Sequence, residues 1–203
     1  MDPQSENWRH LTSLLVPLHP DPQDLARRLL RRFGSLAALT AASDEAVRSS
    51  ALDGEAWPEA FLCIRKLMQE GMRERVLRSP LTKARAELEK YLIMAIGALR
   101  HERMVVFFGD TQGNLISEDV LAEGSDANLS ISTRALAARA MCLDARYIVL
   151  AHNHPSGIAE PSAADIETTV AIATLCRQLG IVLLDHLIVT RTETASCADR
   201  GLL

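Results

Sequence analysis

Four side chains in one short stretch carry the clearest chemistry in this chain. His152, His154, Ser162 and Asp165 form the pattern H-x-H-x7-S-x2-D. Catalytic zinc sites take three nitrogen or oxygen ligands from the protein and keep one position for a water molecule, whose pKa the ion lowers towards neutrality. The pattern therefore predicts a hydrolytic centre with His152, His154 and Asp165 as metal ligands. Imidazole-rich ligation favours Zn²⁺ over manganese.

The segments around these residues predict how they come together. An apolar, β-rich run at 147–151 precedes the histidines and predicts a buried strand. Residues i and i+2 of a strand share a face, so we expect His152 and His154 to point into one pocket. The Pro-Ser-Gly segment that follows turns the chain, and the next helical pattern returns Asp165 to the two histidines.

Ser162 has two interpretations. As a hydroxyl beside the metal, it would donate a hydrogen bond to the oxyanion that develops when water attacks a carbonyl. As the first residue of Ser-x-x-Asp before a helix, it would instead cap that helix together with Asp165, which requires no metal. The sequence leaves both interpretations open.

At these residues the chain resembles a known family. H-x-H-x7-S-x2-D is the signature of the JAMM (MPN+) metalloproteases, and HNHPSG followed by PS-x-x-D is the form found in RadC-family (UPF0758-like) proteins. The resemblance extends from about Leu25 to the C-terminus, and it includes the segments 183–189 and 200–203. It implies an MPN/JAMM-like mixed sheet flanked by helices, and a zinc-dependent metalloprotease activity on a peptide or protein substrate.

The resemblance also implies a general base far upstream of the histidines. In JAMM proteins this base is a glutamate near the junction of a helix and the first strand of the sheet, and Glu102 occupies that place here. The RadC spacing of a glutamate eight residues before an aspartate is met by Glu102 and Asp110. Glu102 and Ser162 are therefore the candidate catalytic residues.

A second polar pair follows an apolar run near the C-terminus. Asp185 and His186 either end a strand as solvated groups or lie behind the metal ligands, where one of them would orient a ligand histidine through its other ring nitrogen. On the second interpretation, Asp185→Asn is expected to weaken zinc binding.

The element pattern predicts an α/β fold with two domains. Residues 1–79 have the capping and turn residues of short helices, and they form a small all-helical domain. From residue 80 onward, strands predicted at 104–108, 147–151, 181–184 and 187–190 alternate with helices near 82–100, 133–143 and 163–179. This order indicates a mixed sheet flanked by helices, while the polar segment between Gly113 and Thr133 is expected to be a loop.

By resemblance, the N-terminal part is a degenerate helix-hairpin-helix module. Modules of this type often bind DNA phosphates through backbone amides, so a DNA repair or recombination role, with DNA binding or metal-dependent nuclease activity, is the alternative function. However, residues 1–79 contain equal numbers of basic and acidic side chains, and the hairpin segment 52–58 has one glycine and two acids. We therefore expect this domain to pack against the catalytic domain or a partner rather than to bind DNA.

Composition favours a cytoplasmic enzyme. The net charge of -4 and a pI near 5.9 indicate no general attraction to nucleic acid or membranes. Four cysteines, none in a C-x-x-C pair, suit free thiols in a reducing compartment. The apolar stretches are too short or interrupted to span a bilayer, and the N-terminus does not have the pattern of a secretory signal. The sequence indicates no particular oligomeric state.

Overall fold

The structure, a computed structural model, describes residues 3–124 and 132–203. The chain divides into two compact units, Met1–Glu70 and Gly71–Leu203. The helices that begin in the first unit are α1 (Pro3–Leu15), α2 (Pro22–Phe33), α3 (Leu36–Thr40), α4 (Asp44–Arg48) and α5 (Trp57–Leu77). The division falls within α5, whereas the predicted domains 1–79 and 80–203 meet just after that helix.

Side-chain caps begin three helices of the first unit, α2, α3 and α4, as the sequence predicts. Asp21, Ser35 and Ser43 each accept a hydrogen bond from the backbone N–H three residues later, at 2.9, 3.0 and 3.2 Å. Gly34, at φ 81°, ends α2 with a 2.9 Å hydrogen bond from its N–H to the carbonyl of Leu30. Such caps satisfy backbone groups that have no partner inside the helix.

A carboxylate fixes the connection between α4 and α5. Glu55 accepts hydrogen bonds from the backbone N–H of Leu52 at 2.9 Å, from the indole N–H of Trp57 at 3.0 Å, and from Arg28. His19 Nε2 lies 3.0 Å from the same carboxylate. Burial alone would raise the pKa of Glu55, but these hydrogen bonds lower it to about 2. The hairpin segment therefore has a mostly buried acid that holds its own loop.

The second unit is built on a five-stranded mixed sheet. Its elements are α6 (Arg85–Ala95), β1 (Glu102–Gly109), β2 (Leu115–Gly124), α7 (Thr133–Cys142), β3 (Tyr147–Asn153), α8 (Ala163–Gln178), β4 (Val182–Val189) and β5 (Thr194–Ser196). The strand order is β2-β1-β3-β4-β5, and all neighbours are antiparallel except β3 and β4, which are parallel. Helices that precede a mixed sheet flanked by helices confirm the predicted fold class.

The structure differs from the sequence prediction of strands at three places. The segment between Gly113 and Thr133 contains β2, an edge strand that pairs only with β1 among the described residues, while 125–131 lie outside them. An edge strand with much exposed surface tolerates polar residues, and this hides it from a search for apolar runs. The strands predicted at 181–184 and 187–190 are one continuous strand, β4. The short strand β5 was not predicted.

The two faces of the sheet pack against different helices. One face, with Phe107, Val149 and Leu187, packs against α6, and the other, with Phe108, Leu150 and Leu183, packs against α7 and α8. Because side chains alternate along a strand, His152 of β3 lies on the same face as Leu150, towards α8. This arrangement brings the start of α8 to the end of β3. No helix of the described ranges is long and apolar enough to cross a membrane.

Candidate metal centre

The two predicted ligand histidines lie at the end of β3. His152 is in the strand, and the backbone N–H of His154, just after it, still donates to the carbonyl of Val189 in β4 at 2.8 Å. Gly157, at φ 82°, then turns the chain, a conformation that favours glycine. The strand pairing therefore extends to the second histidine and fixes both relative to the sheet.

The start of α8 brings Asp165 to the two histidines. His152 Nε2 and His154 Nε2 are 2.9 Å apart, and they lie 3.0 and 3.2 Å from the two carboxylate oxygens of Asp165. His152 is buried, while His154 and Asp165 are half-buried. Among the described residues, these three form the one group of histidine, cysteine and acidic side chains that could hold a metal ion.

The three side chains fit a zinc ion in donor type and in spacing. Ligand atoms at tetrahedral Zn–N and Zn–O distances stand about 3.3 Å from one another. The two imidazole nitrogens are 2.9 Å apart, and each lies 3.0 or 3.2 Å from a different carboxylate oxygen of Asp165, so one ligand atom from each residue lies within 4.8 Å of the other two. His154 donates its Nδ1 proton to the carbonyl of Ile158 at 2.9 Å, so in neutral His154 the Nε2 atom that faces the cluster has a free lone pair.

Electrostatics in the cluster favour a cation. The hydrogen bond with Asp165 raises the pKa of His154, although burial opposes this shift. Burial also disfavours the charged form of Asp165, but the imidazoles of His152 and His154 keep the pKa of this carboxyl well below its usual range. Asp165 is therefore an anion that faces two imidazole nitrogens, and a proton or a metal ion can occupy the space between them.

Ser162 caps α8, which is one of the two interpretations that the sequence leaves open. Its hydroxyl donates to Asp165 Oδ2 at 2.6 Å and accepts from the backbone N–H of Asp165 at 3.2 Å. Its own backbone N–H donates to the same carboxylate oxygen at 2.7 Å, which completes a capping box. Ser162 therefore orients Asp165, while a role as oxyanion donor stays a prediction.

Glu102 is the first residue of β1, at the junction that the resemblance implies. It lies two residues before Met104, whose Cα pairs with that of His152 across the sheet, and its side chain is half-buried. The negative charge of Glu102 is close enough to contribute to the raised pKa of His154. The candidate base and the three candidate ligands therefore lie at the same end of the sheet.

The sequence did not identify Asn153, which lies between the two histidines. Its buried side chain accepts from the backbone N–H of Arg103 at 2.8 Å and donates to the carbonyl of His101 at 3.0 Å. These two partners flank Glu102, so Asn153 fixes the backbone that carries the candidate base. The only sequence signal is an amide side chain that points to the opposite face from His152 and His154.

The pair Asp185 and His186 divides between the two faces of the sheet. His186 Nε2 lies 2.8 Å from His152 Nδ1, and burial, followed by the charge on His152, lowers the pKa of His186 to about 3. Asp185 instead accepts from Ser196 Oγ at 2.6 Å and from the backbone N–H of Ala198 at 3.0 Å. The interpretation that Asp185 orients a ligand histidine is therefore corrected, because adjacent strand residues point in opposite directions.

A family model described as a RadC-like JAB domain matches residues 82–202. The chain belongs to the RadC family. UPF0758 proteins of Methylibium petroleiphilum and Leptothrix cholodnii are 34% and 33% identical over 179 residues, which cover 88% of this chain and 81% of theirs. A UPF0758 protein of Chromobacterium violaceum is 34% identical over 180 residues, 89% of this chain and 80% of its own.

The RadC-like match covers the whole candidate centre. It includes Glu102, the two histidines, Asp165 and His186, and it begins shortly before α6. Membership of the RadC family, with its JAB domain, therefore agrees with the JAMM-like arrangement of candidate ligands that the structure brings together. The helices before residue 82 lie outside the matched range.

Proposed function

We propose that this RadC-family chain is a zinc-dependent hydrolase of the JAMM type that cleaves amide bonds, either peptide or isopeptide. The observation that carries the proposal is the convergence of His152, His154 and Asp165, which offer ligand atoms of the type that catalytic zinc takes, all within 4.8 Å of one another. Its two exposed or half-buried neighbours, Ser162 and Glu102, are the polar groups that such a reaction requires.

The three candidate ligands have distinct roles in this proposal. His152 and His154 offer neutral imidazole nitrogens, and Asp165 offers a carboxylate whose orientation the capping box of Ser162 fixes. When bound, a zinc ion supplies Lewis acidity, which makes a neighbouring water acidic near neutral pH and polarises a carbonyl. The side chains of His154 and Asp165 are 12% and 15% exposed, so solvent reaches the centre on their side.

Glu102 is the residue that transfers the proton of the attacking water in this proposal. Its carboxylate accepts a proton from the attacking water and then passes it to the nitrogen of the leaving amine, as a general base that becomes a general acid. Asn153 holds the backbone on both sides of Glu102, so the carboxylate starts from a fixed position relative to the two histidines. Ser162 would donate its hydroxyl proton to the carbonyl oxygen after turning away from Asp165.

The alternative, a DNA-binding or nuclease role, has weaker support from the described residues. Three arginines of the first unit are paired with acids: Arg28 with Glu55, Arg48 with Glu59 at 2.7 Å, and Arg65 with Asp44. Paired arginines leave less positive charge for phosphates than the sequence count suggests. We therefore keep amide hydrolysis as the proposed function.

A matched pair of variants tests the proposal. Zinc-loaded wild-type protein would be assayed against a library of fluorogenic peptides, isopeptide-linked lysine substrates, and single- and double-stranded DNA. We expect amide cleavage that Glu102→Gln lowers by at least about 100-fold, with zinc content unchanged, because general base catalysis contributes about 10²- to 10⁴-fold. The exposed substitution Glu45→Gln is the control.

Three outcomes distinguish the possibilities. Amide cleavage that depends on Glu102 and zinc supports the proposal. Cleavage of DNA, with no cleavage of amides, would replace it with the nuclease alternative. Amide cleavage that is equally fast in wild type and Glu102→Gln would contradict the assignment of the base.

A further inference from the structure

Three buried contacts behind the metal centre connect His152 to the backbone of Asp165. His152 Nδ1 lies 2.8 Å from His186 Nε2, and His186 Nδ1 lies 2.6 Å from the hydroxyl of Thr169. That hydroxyl in turn lies 2.6 Å from the carbonyl oxygen of Asp165, one turn earlier in α8. Two of the three candidate ligands, His152 and Asp165, therefore face each other at the candidate metal position and are also linked behind it by this series of hydrogen bonds.

The donors and acceptors that these groups offer determine the direction of all three hydrogen bonds. The carbonyl of Asp165 can only accept, so the hydroxyl of Thr169 donates its single proton there. Thr169 must then accept from His186, which places the proton of neutral His186 on Nδ1. His186 Nε2 consequently has a lone pair, and His152 donates its Nδ1 proton to it.

The result is a defined tautomer for the first ligand histidine. With its proton on Nδ1, neutral His152 has a lone pair on Nε2, the atom that faces His154 and Asp165 at 2.9 and 3.0 Å. Thr169 and His186 have no exposed surface, and His152 has 1%, so water cannot substitute for either partner. The opposite tautomer would leave buried donors and acceptors unpaired, at a cost of about 1–3 kcal/mol for each group.

We propose that Thr169 and His186 are positioning residues that hold His152 in its Nδ1–H tautomer and thereby direct the Nε2 lone pair to the metal. The inference rests on the proposed function in that the ion is the one bound by His152, His154 and Asp165. It adds Thr169, a residue to which neither the ligand pattern nor the resemblance assigns a role. The series of hydrogen bonds ends at the carbonyl of Asp165, which can only accept. The backbone of one candidate ligand therefore determines which ring nitrogen of His152 carries the proton.

The threonine allows a closely matched test. Thr169→Val keeps the shape of the side chain but removes the hydroxyl, while Thr169→Ser keeps the hydroxyl and removes a methyl group. Zinc affinity would be measured by competition with a chromophoric chelator at pH 7.5. The tautomer of His152 would be read in the metal-free full chain from imidazole ¹⁵N chemical shifts, with His152→Gln used to assign its signals.

We expect wild type and Thr169→Ser to show the Nδ1–H tautomer, and Thr169→Val to show a mixture of tautomers. We also expect zinc affinity to fall about 10- to 100-fold in Thr169→Val, the usual effect of losing an outer partner of a metal ligand, and to be largely kept in Thr169→Ser. A purely structural role for Thr169 would change thermal stability in Thr169→Val without changing the tautomer.

The outcomes separate this inference from the proposed function. Unchanged tautomer and unchanged zinc affinity in Thr169→Val would overturn the inference while leaving a zinc hydrolase intact. Equal losses of affinity in the valine and serine variants would also overturn it, because packing and not the hydroxyl would then be responsible. If wild type bound no zinc, the proposed function would fail, and the tautomer measured in the metal-free chain would still support or overturn the role of Thr169.

Discussion

Each of the two units contains a carboxylate beside histidine, and the two clusters differ in what they can bind. Glu55 in the first unit and Asp165 in the second both have a lowered pKa, and both face an imidazole nitrogen at 3.0 Å. The partners of Glu55 include an arginine, an indole N–H and a backbone N–H, all of which can only donate. Its negative charge is satisfied by fixed protons.

Asp165 has a different set of neighbours. His152 and His154 each have their other ring nitrogen engaged elsewhere, with His186 and with the carbonyl of Ile158. Both imidazoles can therefore present a lone pair beside a carboxylate, and three such atoms are held together only by a proton or a metal ion. Neighbours that can only donate hydrogen bonds make a carboxylate a structural group that holds its loop. Neighbours that can present a lone pair allow the carboxylate to share a metal ion with them.

The largest expected effect comes from replacing each carboxylate by its amide. Asp165→Asn is expected to weaken zinc binding by more than about 100-fold, because even the loss of an outer partner costs about 10- to 100-fold. Glu55→Gln is expected to leave zinc binding unchanged. Zinc titration by calorimetry on both variants checks the contrast, and equal weakening in the two variants would contradict it.

A reciprocal effect on stability is expected for the first unit. Glu55→Gln introduces an amide group against donors that are already fixed, so we expect a loss of about 1–3 kcal/mol in the free energy of unfolding. Both tryptophans, Trp8 and Trp57, lie in the first unit, so tryptophan fluorescence during urea unfolding reports on that unit. Glu59→Gln, at an exposed ion pair, is the control and should change little. A Glu55→Gln protein as stable as this control would show that the hydrogen bonds of the Glu55 carboxylate do not stabilise the first unit.

A smaller effect is expected in the pH dependence of the same measurement. The pKa of Glu55 is lowered from 4.5 to about 2 in the folded chain, so its stabilising contribution is fully present above pH 4.5. This contribution is lost as the pH falls from 4.5 towards 2, because the unfolded chain takes up the proton first. The stability difference between wild type and Glu55→Gln should therefore be constant from pH 5 to 7 and shrink below pH 4.5. A difference that grows on acidification would have the wrong sign.

The arrangement of the centre is accessible from sequence where local rules decide it. The strand before His152, the two-residue spacing of the histidines, and the serine cap that precedes Asp165 by three positions are all short-range features. Together they predict that three ligand side chains converge, and the structure brings them within hydrogen-bond distance. The helix caps at Asp21, Ser35 and Ser43 are predictable for the same reason.

Features that depend on distant pairing are not accessible in this way. β2 has polar residues because it is an edge strand, which only the sheet order reveals. The polar pair Asp185 and His186 interrupts an apolar pattern, yet both residues lie inside β4, where each is buried with partners from other segments. Thr169 and Asn153 have ordinary sequence contexts, and their roles depend on contacts with segments far along the chain.

The most direct test of the metal centre is the zinc content of purified, untagged protein after reconstitution, measured by mass spectrometry. Wild type would be compared with His154→Ala and Asp165→Ala, and with His10→Ala as a control at an exposed histidine of the first unit. We predict about one zinc ion per chain in wild type and His10→Ala, and loss of the metal in the two centre variants. Wild-type protein without stoichiometric metal, or centre variants that retain it, would contradict the account.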